Sequence, residues 1–278
     1  MTSAYSRPPS SELKFNLTDH TILGQRSGDI GYLALRTFSS ESDKGGDDDA
    51  AARIAQIDRE LDRLLDTRAL VIDVQDNTGG NSDVLFAALG RLLPQRTLFG
   101  RGLWLYFGPF TFQGPRYVEP REPCYHGELV VLTSAQTCSA AEWFARTLQR
   151  EGRATIVGER TVGAEAGTRD VKGPDGSSLT FGWRWITDRD GRGLQDVGVI
   201  PQVDVSLSIE RVREQGYGAA EKRVVDERLR SALALVGGES ELETLRKTAG
   251  MRLTRRWEWR DEGTGGSNLT PAPQASRP

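Results

Sequence analysis

Two short, uninterrupted apolar runs constrain the fold of this chain more than any other feature: Ala69-Leu-Val-Ile-Asp-Val74 and Glu128-Leu-Val-Val-Leu-Thr133. Each is rich in β-branched residues and too short for a buried helix, so each reads as a strand covered on both faces. Such strands need helices above and below them. The intervening sequence supplies these. Between Asp49 and Asp66, Ile54, Ile57, Leu61, Leu64 and Leu65 recur at helical spacing, with charged residues on the opposite face. A second helix is expected over 82–93 and a third from near Ser139 to about Gln149, where Gly152 fits the stop. Further strands are expected at Asp29–Thr37, Ala154–Val157 and Leu179–Ile186, with a glycine-containing loop at 158–168 and a hairpin around Gly173-Pro-Asp-Gly176. Val224, Val225, Leu229, Leu233 and Leu235 mark a helix near 218–236. The alternation of strands and helices defines an α/β domain.

The organisation expected is a disordered extension over 1–12, a core domain over 13–210, a helical segment over 211–260 and a disordered tail over 261–278, since both ends are rich in Ser, Pro, Gly and Thr without periodicity. A length of 278 residues with 37% hydrophobic content fills a real core. The formal charge of −3, with no basic stripe, argues against nucleic acid as a partner. No run of about 18 apolar residues occurs and the opening MTSAYSRPPSS has no hydrophobic stretch, so no membrane span or signal peptide is expected and the location expected is cytoplasmic. Two cysteines and two histidines make neither a disulfide framework nor a histidine-rich metal site, and no cofactor is expected. Residues 96–126 hold eight of the 21 aromatic residues. They form either a hairpin whose rings pack on the sheet or an apolar wall facing a substrate.

Chemistry concentrates where the second apolar run ends. In Thr133-Ser-Ala-Gln-Thr-Cys-Ser-Ala-Ala-Glu142 a polar turn places Ser139 at the first turn of a helix, among free N–H groups. Ser139 reads either as an ordinary helix N-cap or as a nucleophile whose oxyanion is held by the N–H of Ala140. The first run ends in Asp76-Asn-Thr-Gly-Gly80, where Gly79 and Gly80 let backbone approach a ligand and present further N–H donors, or simply turn the chain. Glu142 stands in capping-box relation to Ser139. Glu159 and Glu165 flank the following loop, and either becomes a base if desolvation raises its pKa. Cys138 reads as a small buried residue rather than a nucleophile.

In order and spacing these segments resemble the S41 serine peptidases: the C-terminal processing or tail-specific proteases, the tricorn core and their retinoid-binding-protein-like relatives. Leu70-Val-Ile-Asp-Val-Gln-Asp-Asn-Thr-Gly-Gly80 is similar to the family's LIlDlRgNpGG segment and Thr137-Cys-Ser-Ala-Ala-Glu142 to its nucleophile motif. Asp29-Ile-Gly-Tyr32 resembles its first core strand, Gly158-Glu-Arg-Thr-Val-Gly163 its GExTxG strand end, and Gly198-Val-Ile-Pro201 its closing GIxPD turn. The resemblance spans about residues 28–207. It implies a crotonase- or ClpP-like β/α spiral, Ser139 as nucleophile, and Gly79, Gly80 and Ala140 at an oxyanion hole.

This chain departs from the pattern in the proton-transfer machinery. The lysine that processing proteases place just after GExTxG is Ala164 here, and the next lysine, Lys172, falls on the expected hairpin. The glutamate that assists a histidine base in tricorn-like members is matched by Gln195, which orients but carries no charge; the aspartate of the closing turn is Gln202, and the arginine before the glycine pair is Gln75. His20, beside Asp19, resembles the upstream histidine segment and is the candidate base, although the alternation over 13–23 also suits a surface strand residue. His126 sits at the far end of the strand leading to Ser139, out of hydrogen-bonding reach. No peptide-gripping module fits between the first core strand and the glycine pair. Two functions follow: a serine hydrolase cleaving a peptide or small acyl substrate, or a non-proteolytic relative that binds apolar ligands or performs acyl transfer or cyclisation.

Overall fold

The computed structural model describes residues 22–39, 47–105 and 110–249. A six-stranded sheet carries the fold. Its strands are β1 (Ile22–Ser27), β2 (Ile30–Leu35), β3 (Ala69–Asp73), β6 (Glu128–Thr133), β7 (Thr155–Gly158) and β10 (Val203–Asp204), in that spatial order. β1 runs antiparallel to β2, and every later neighbour is parallel, with Leu33 opposite Ile72 and Ile72 opposite Val131. Each new strand is added on the same side of its predecessor. Right-handed crossovers laid down in one direction all fall on one face of a sheet. That face holds α1 (Asp47–Asp62), α2 (Ser82–Gly90) and α3 (Ala140–Arg150), which bury Ile57, Leu61, Val84, Leu89, Phe144 and Leu148 against Leu33, Ile72 and Val131.

The alternate residues of the same strands face the opposite way. Tyr32, Val71 and Val130 meet Leu229 and Leu233 of α5 (Tyr217–Leu235) and Leu245 of α6 (Leu242–Ala249). The apolar runs are continuous because both faces are covered. The helical segment expected from 211 onward therefore supplies the second layer, with α4 (Ile209–Gln215) leading into it. Neither α4 nor α6 is evident from periodicity. The expected helix at 82–93 closes at Gly90, where the Arg91 N–H caps onto the carbonyls of Ala88 and Leu89. Residues 1–12 and 261–278, expected to be disordered, lie outside the described residues, as does His20.

The aromatic segment does not lie on the main sheet. β4 (Thr97–Leu105) and β5 (Phe110–Val118) form a hairpin that joins β9 (Ser178–Thr187) and β8 (Gly167–Lys172) in a second sheet of order β5-β4-β9-β8. Only its base is core: the Phe99 ring lies 4.8 Å from Phe86 of α2 and 5.3 Å from Trp143 of α3. Farther out, Trp104 packs on Trp183 at 5.5 Å and Phe112 is 80% exposed. The second sheet thus arches over the ends of α2 and α3.

A buried polar network underlies the turn after β3. Tyr32 donates to Asp73 (2.5 Å), Asp73 accepts from the Gln75 N–H (2.9 Å), and Arg36 pairs with Asp76 (2.9 Å). Arg228 of α5 closes it with three bonds of 2.9 Å, to the Val205 carbonyl, the Gln75 side-chain carbonyl and the Glu159 carboxylate. Its side chain is 3% exposed. Removing one partner of a buried pair leaves the other uncompensated, which costs more than the pair itself contributes. Arg228→Ala is therefore expected to lower stability by about 3 kcal/mol in urea unfolding; an unchanged midpoint would show that α5 does not clamp this turn.

Candidate active site

The two turns that follow β3 and β6 are sewn together. Ser134 Oγ donates to the Gln75 carbonyl (2.5 Å), Thr137 Oγ1 to the Val74 carbonyl (3.0 Å), and the Cys138 N–H to the Asn77 carbonyl (3.0 Å). Asn77 is fully buried, its Nδ2 donating to the Leu35 carbonyl and its Oδ1 accepting from the Gly79 N–H at 2.8 Å. These bonds explain the polar residues that follow each apolar run: each answers a backbone group in the neighbouring turn.

Ser139 adopts φ 53°, ψ −120°. A non-glycine residue at positive φ costs about 1–3 kcal/mol and persists only where its surroundings over-determine it. Ser139 and Glu142 form a capping box across the first turn of α3. Glu142 is fully buried and accepts four hydrogen bonds: from the Ser139 N–H (3.0 Å), the Ala164 N–H (3.0 Å), the Gly163 N–H (2.7 Å) and the Thr161 hydroxyl (2.5 Å). Thr161 Oγ1 also accepts from the Val199 N–H at 2.7 Å. One carboxylate thus binds the serine turn to the loop after β7, and one threonine binds that loop to the closing turn.

Gly79 and Gly80 have φ 96° and 136°. A Cβ on Gly79 would stand 2.8 Å from Ser139 Cβ and 2.9 Å from Ala140 N, so glycine is required by contact as well as by conformation. Gly80 forms a parallel bridge with Phe38, in which Phe38 donates to the Gly79 carbonyl and accepts from the Asn81 N–H. That pattern turns the Gly80 N–H away from Phe38. Of the three amides expected at an oxyanion hole, Gly79 is thus already committed to Asn77. Those of Gly80 and Ala140 have no acceptor among the described residues.

Gly80, Ser139 and Ala140 line one cleft. Leu85, Phe86, Phe99, Trp143 and Ile186 form its apolar wall, and Arg116, Glu165 and Arg184 are its charged groups. Glu165 is 5% exposed and accepts from Trp143 Nε1 at 2.6 Å, one helical turn beyond Ser139. Burial pushes its carboxyl up to about 7, against hydrogen bonds that favour the ionised form. Gln195 Oε1 accepts from the N–H groups of Glu165 and Ala166, both at 3.3 Å, and so fixes the backbone that carries Glu165.

The other candidates stand elsewhere. Glu159 is paired with Arg228. Gln202 accepts from the Ile156 N–H and from Gln149 Nε2, a structural task. Lys172 lies exposed at the end of β8, and His126 is exposed before β6. Cys138 donates to the Ala164 carbonyl, and burial raises its thiol pKa, which keeps it protonated. Among the described residues no cluster of three or more His, Cys, Asp or Glu is placed to hold a metal.

Gly79→Ala is expected to cost more than 3 kcal/mol, roughly the strain of a positive φ plus the overpacking of a backbone contact. Gly176→Ala, at φ 81° with nothing within 4 Å, should cost only about 1–2 kcal/mol. Equal losses in thermal unfolding would show that the serine turn yields to Gly79.

The family model of peptidase family S41 matches residues 29–205. The carboxyl-terminal-processing protease of Picosynechococcus sp. is 28% identical over 160 residues, which cover 56% of this chain and 34% of that protein. The chain thus spans about a third of that relative's length. Among solved structures, the photosystem II D1 C-terminal processing protease superposes with a TM-score of 0.51 at 25% identity, covering 69% of this chain and 47% of that one. Mature CPAF superposes with a TM-score of 0.56 at 18% identity, covering 73% and 53%. The matched region contains both glycine and serine turns, the Glu142 clamp and the closing turn. The chain belongs to peptidase family S41.

Proposed function

We propose that this chain is a serine-type hydrolase that cleaves a peptide or related acyl bond through Ser139. The observation that carries the reading is the strained serine at a helix start, beside two N–H groups from separate turns that have no acceptor among the described residues. In the proposed reaction Ser139 Oγ attacks the scissile carbonyl carbon and loses its proton to a base. The carbonyl oxygen takes the negative charge and is held by the N–H groups of Gly80 and Ala140. Collapse expels the leaving amine, which takes the proton from the base, and water then hydrolyses the acyl-serine by the same steps.

We assign the base to Glu165, the one carboxylate among the charged groups lining the cleft that Ser139 also lines. A carboxyl held near 7 by burial is a far stronger base than an exposed one and is still ionised in half the molecules at neutral pH. Ala164, where processing proteases carry lysine, leaves the role open. Gln195 acts as a positioning residue for the 165–166 backbone.

A fluorophosphonate is expected to label the wild type and not Ser139→Ala. Absence of labelling of the wild type between pH 6 and 9 would favour the non-catalytic, apolar-ligand-binding reading. The base is ionised only above its pKa, so the labelling rate should fall about tenfold per pH unit below 7 and level off above it. Glu165→Gln should abolish that dependence and most of the rate, with His20→Ala retaining it. The reverse pattern would assign the base to His20.

The same carboxyl makes an opposite prediction for stability. Its folded pKa of about 7 exceeds the ordinary value of 4.5, so the folded state binds the proton more tightly. Stability from this group is full below about pH 4.5 and is lost as pH rises through 7. Above pH 7, Glu165→Gln should be more stable than wild type by up to about 3 kcal/mol, in urea melts at pH 5 and 8. A variant no more stable than wild type at pH 8 would refute the buried assignment.

A further inference from the structure

Charge is unevenly shared along this chain. The four strands of the second sheet, with the turn between β8 and β9, carry five basic residues and two acidic ones, Asp170 and Asp175, a net of +3 in a chain of formal charge −3. The same strands hold Trp104, Trp183 and Trp185, three of the chain's six tryptophans. Toward the end away from Phe99, the sheet also leaves apolar side chains in solvent. The exposed Phe112 of β5 stands opposite Leu103 of β4, and Val171 of β8 stands opposite Leu179 of β9, with Val171 49% and Leu179 66% exposed. Arg169 and Lys172, both exposed, flank Val171 on its own strand. Apolar groups gathered at a surface and rimmed by charge mark an interaction site.

We propose that this outer end of the second sheet docks on an anionic lipid surface. Two observations select that partner over another polymer. The edge strands resist addition of a strand from a second chain: β5 contains Gly114 and Pro115, and β8 contains Arg169, Asp170 and Lys172 in near succession. The Trp183 ring is already covered, by Trp104 at 5.5 Å and by the Arg169 guanidinium at 4.5 Å, so a nucleic-acid base stacking there would have to displace one of them. Lipid asks for neither a free edge nor a free ring face. Apolar tips such as Phe112, Val171 and Leu179 enter the acyl boundary, indole rings settle at headgroup depth, and Lys and Arg side chains meet the phosphates. The positive charge of the sheet complements that surface although the chain as a whole is negative. No helix among the described residues is long and apolar enough to cross a membrane, and interfacial docking requires none. β9 joins this end to the cleft: Leu179 and Ile186 lie on one strand, about 23 Å apart at 3.3 Å per residue, so docking holds the Ser139 cleft near the surface.

The test is co-sedimentation of the full chain with vesicles of phosphatidylcholine alone and of phosphatidylcholine with about 30% phosphatidylserine. Each basic residue near an anionic surface contributes about fivefold. Half-maximal binding is therefore expected at no more than a tenth of the lipid concentration for the anionic vesicles, with the advantage lost between 50 and 500 mM NaCl. Phe112→Ser with Leu179→Ser, two substitutions at exposed positions, should weaken binding to the anionic vesicles at least tenfold. Arg169→Gln with Lys172→Gln should bring the anionic vesicles close to the neutral ones. Failure of the wild type to bind anionic vesicles at about 1 mM lipid, or equal binding to both compositions, would overturn the proposal whether or not the variants fold. Undiminished binding by the folded Phe112→Ser, Leu179→Ser variant would also overturn it, by placing the contact elsewhere on the chain. A single-stranded oligonucleotide that displaces the vesicles would give the surface to nucleic acid instead, and a dimer in sedimentation velocity that the same variant dissolves would give it to a second copy of the chain. None of these readings involves turnover, so failure of Ser139 to be labelled leaves them intact.

Discussion

The buried carboxylate of Glu142 is the interaction on which the site depends. It accepts from the amides of Ser139, Gly163 and Ala164 and from the Thr161 hydroxyl, and it is fully buried. A buried charge is tolerable only when its lone pairs are answered, and here four donors answer them. The consequence is geometric. A strained serine backbone, which would relax in isolation, is pinned from its own N–H while the loop carrying Glu165 is pinned from the other side. Without this clamp the hydroxyl and the second wall of the cleft would move independently.

The layers of the fold serve that clamp. Parallel strands β3 and β6 lie side by side, so their C-terminal turns emerge together and exchange side-chain-to-backbone bonds. Open parallel sheets place ligand sites at such strand ends. The second sheet then supplies the roof: Phe99, Arg116, Arg184 and Ile186 come from strands that never enter the main sheet. Its outer half is exposed, and its inner edge reaches the cleft that Ser139 lines. The serine turn thus belongs to the core, and the opposite wall of the cleft comes from a separate sheet.

Much of this was legible in the residues. The apolar runs identified β3 and β6 because burial on both faces removes polar alternation. The polar turn before an amphipathic helix located Ser139, and the spacing of glycines located the partner turn. What was not legible was non-local. Gln75 stands where the resemblance implies an arginine, and the cation comes instead from Arg228, 153 residues away, which no local pattern signals. The four strands of the arching sheet mix apolar and charged residues on half-exposed faces, so the segment at 96–126 reads equally as core or as wall; Phe99 proves to be both. Glu165 could be named as a conditional base, but only its burial, acting against the Trp143 hydrogen bond, raises its pKa to about 7. The short α4 and α6 carry too few turns to show a period.

The account reduces to one oxygen held by two amides from different turns. A crystal structure of the Ser139 phosphonyl adduct tests this most directly. The account predicts the phosphonyl oxygen within about 2.7–3.1 Å of both Gly80 N and Ala140 N. An adduct whose oxygen points to solvent, or contacts only one of these amides, would contradict it.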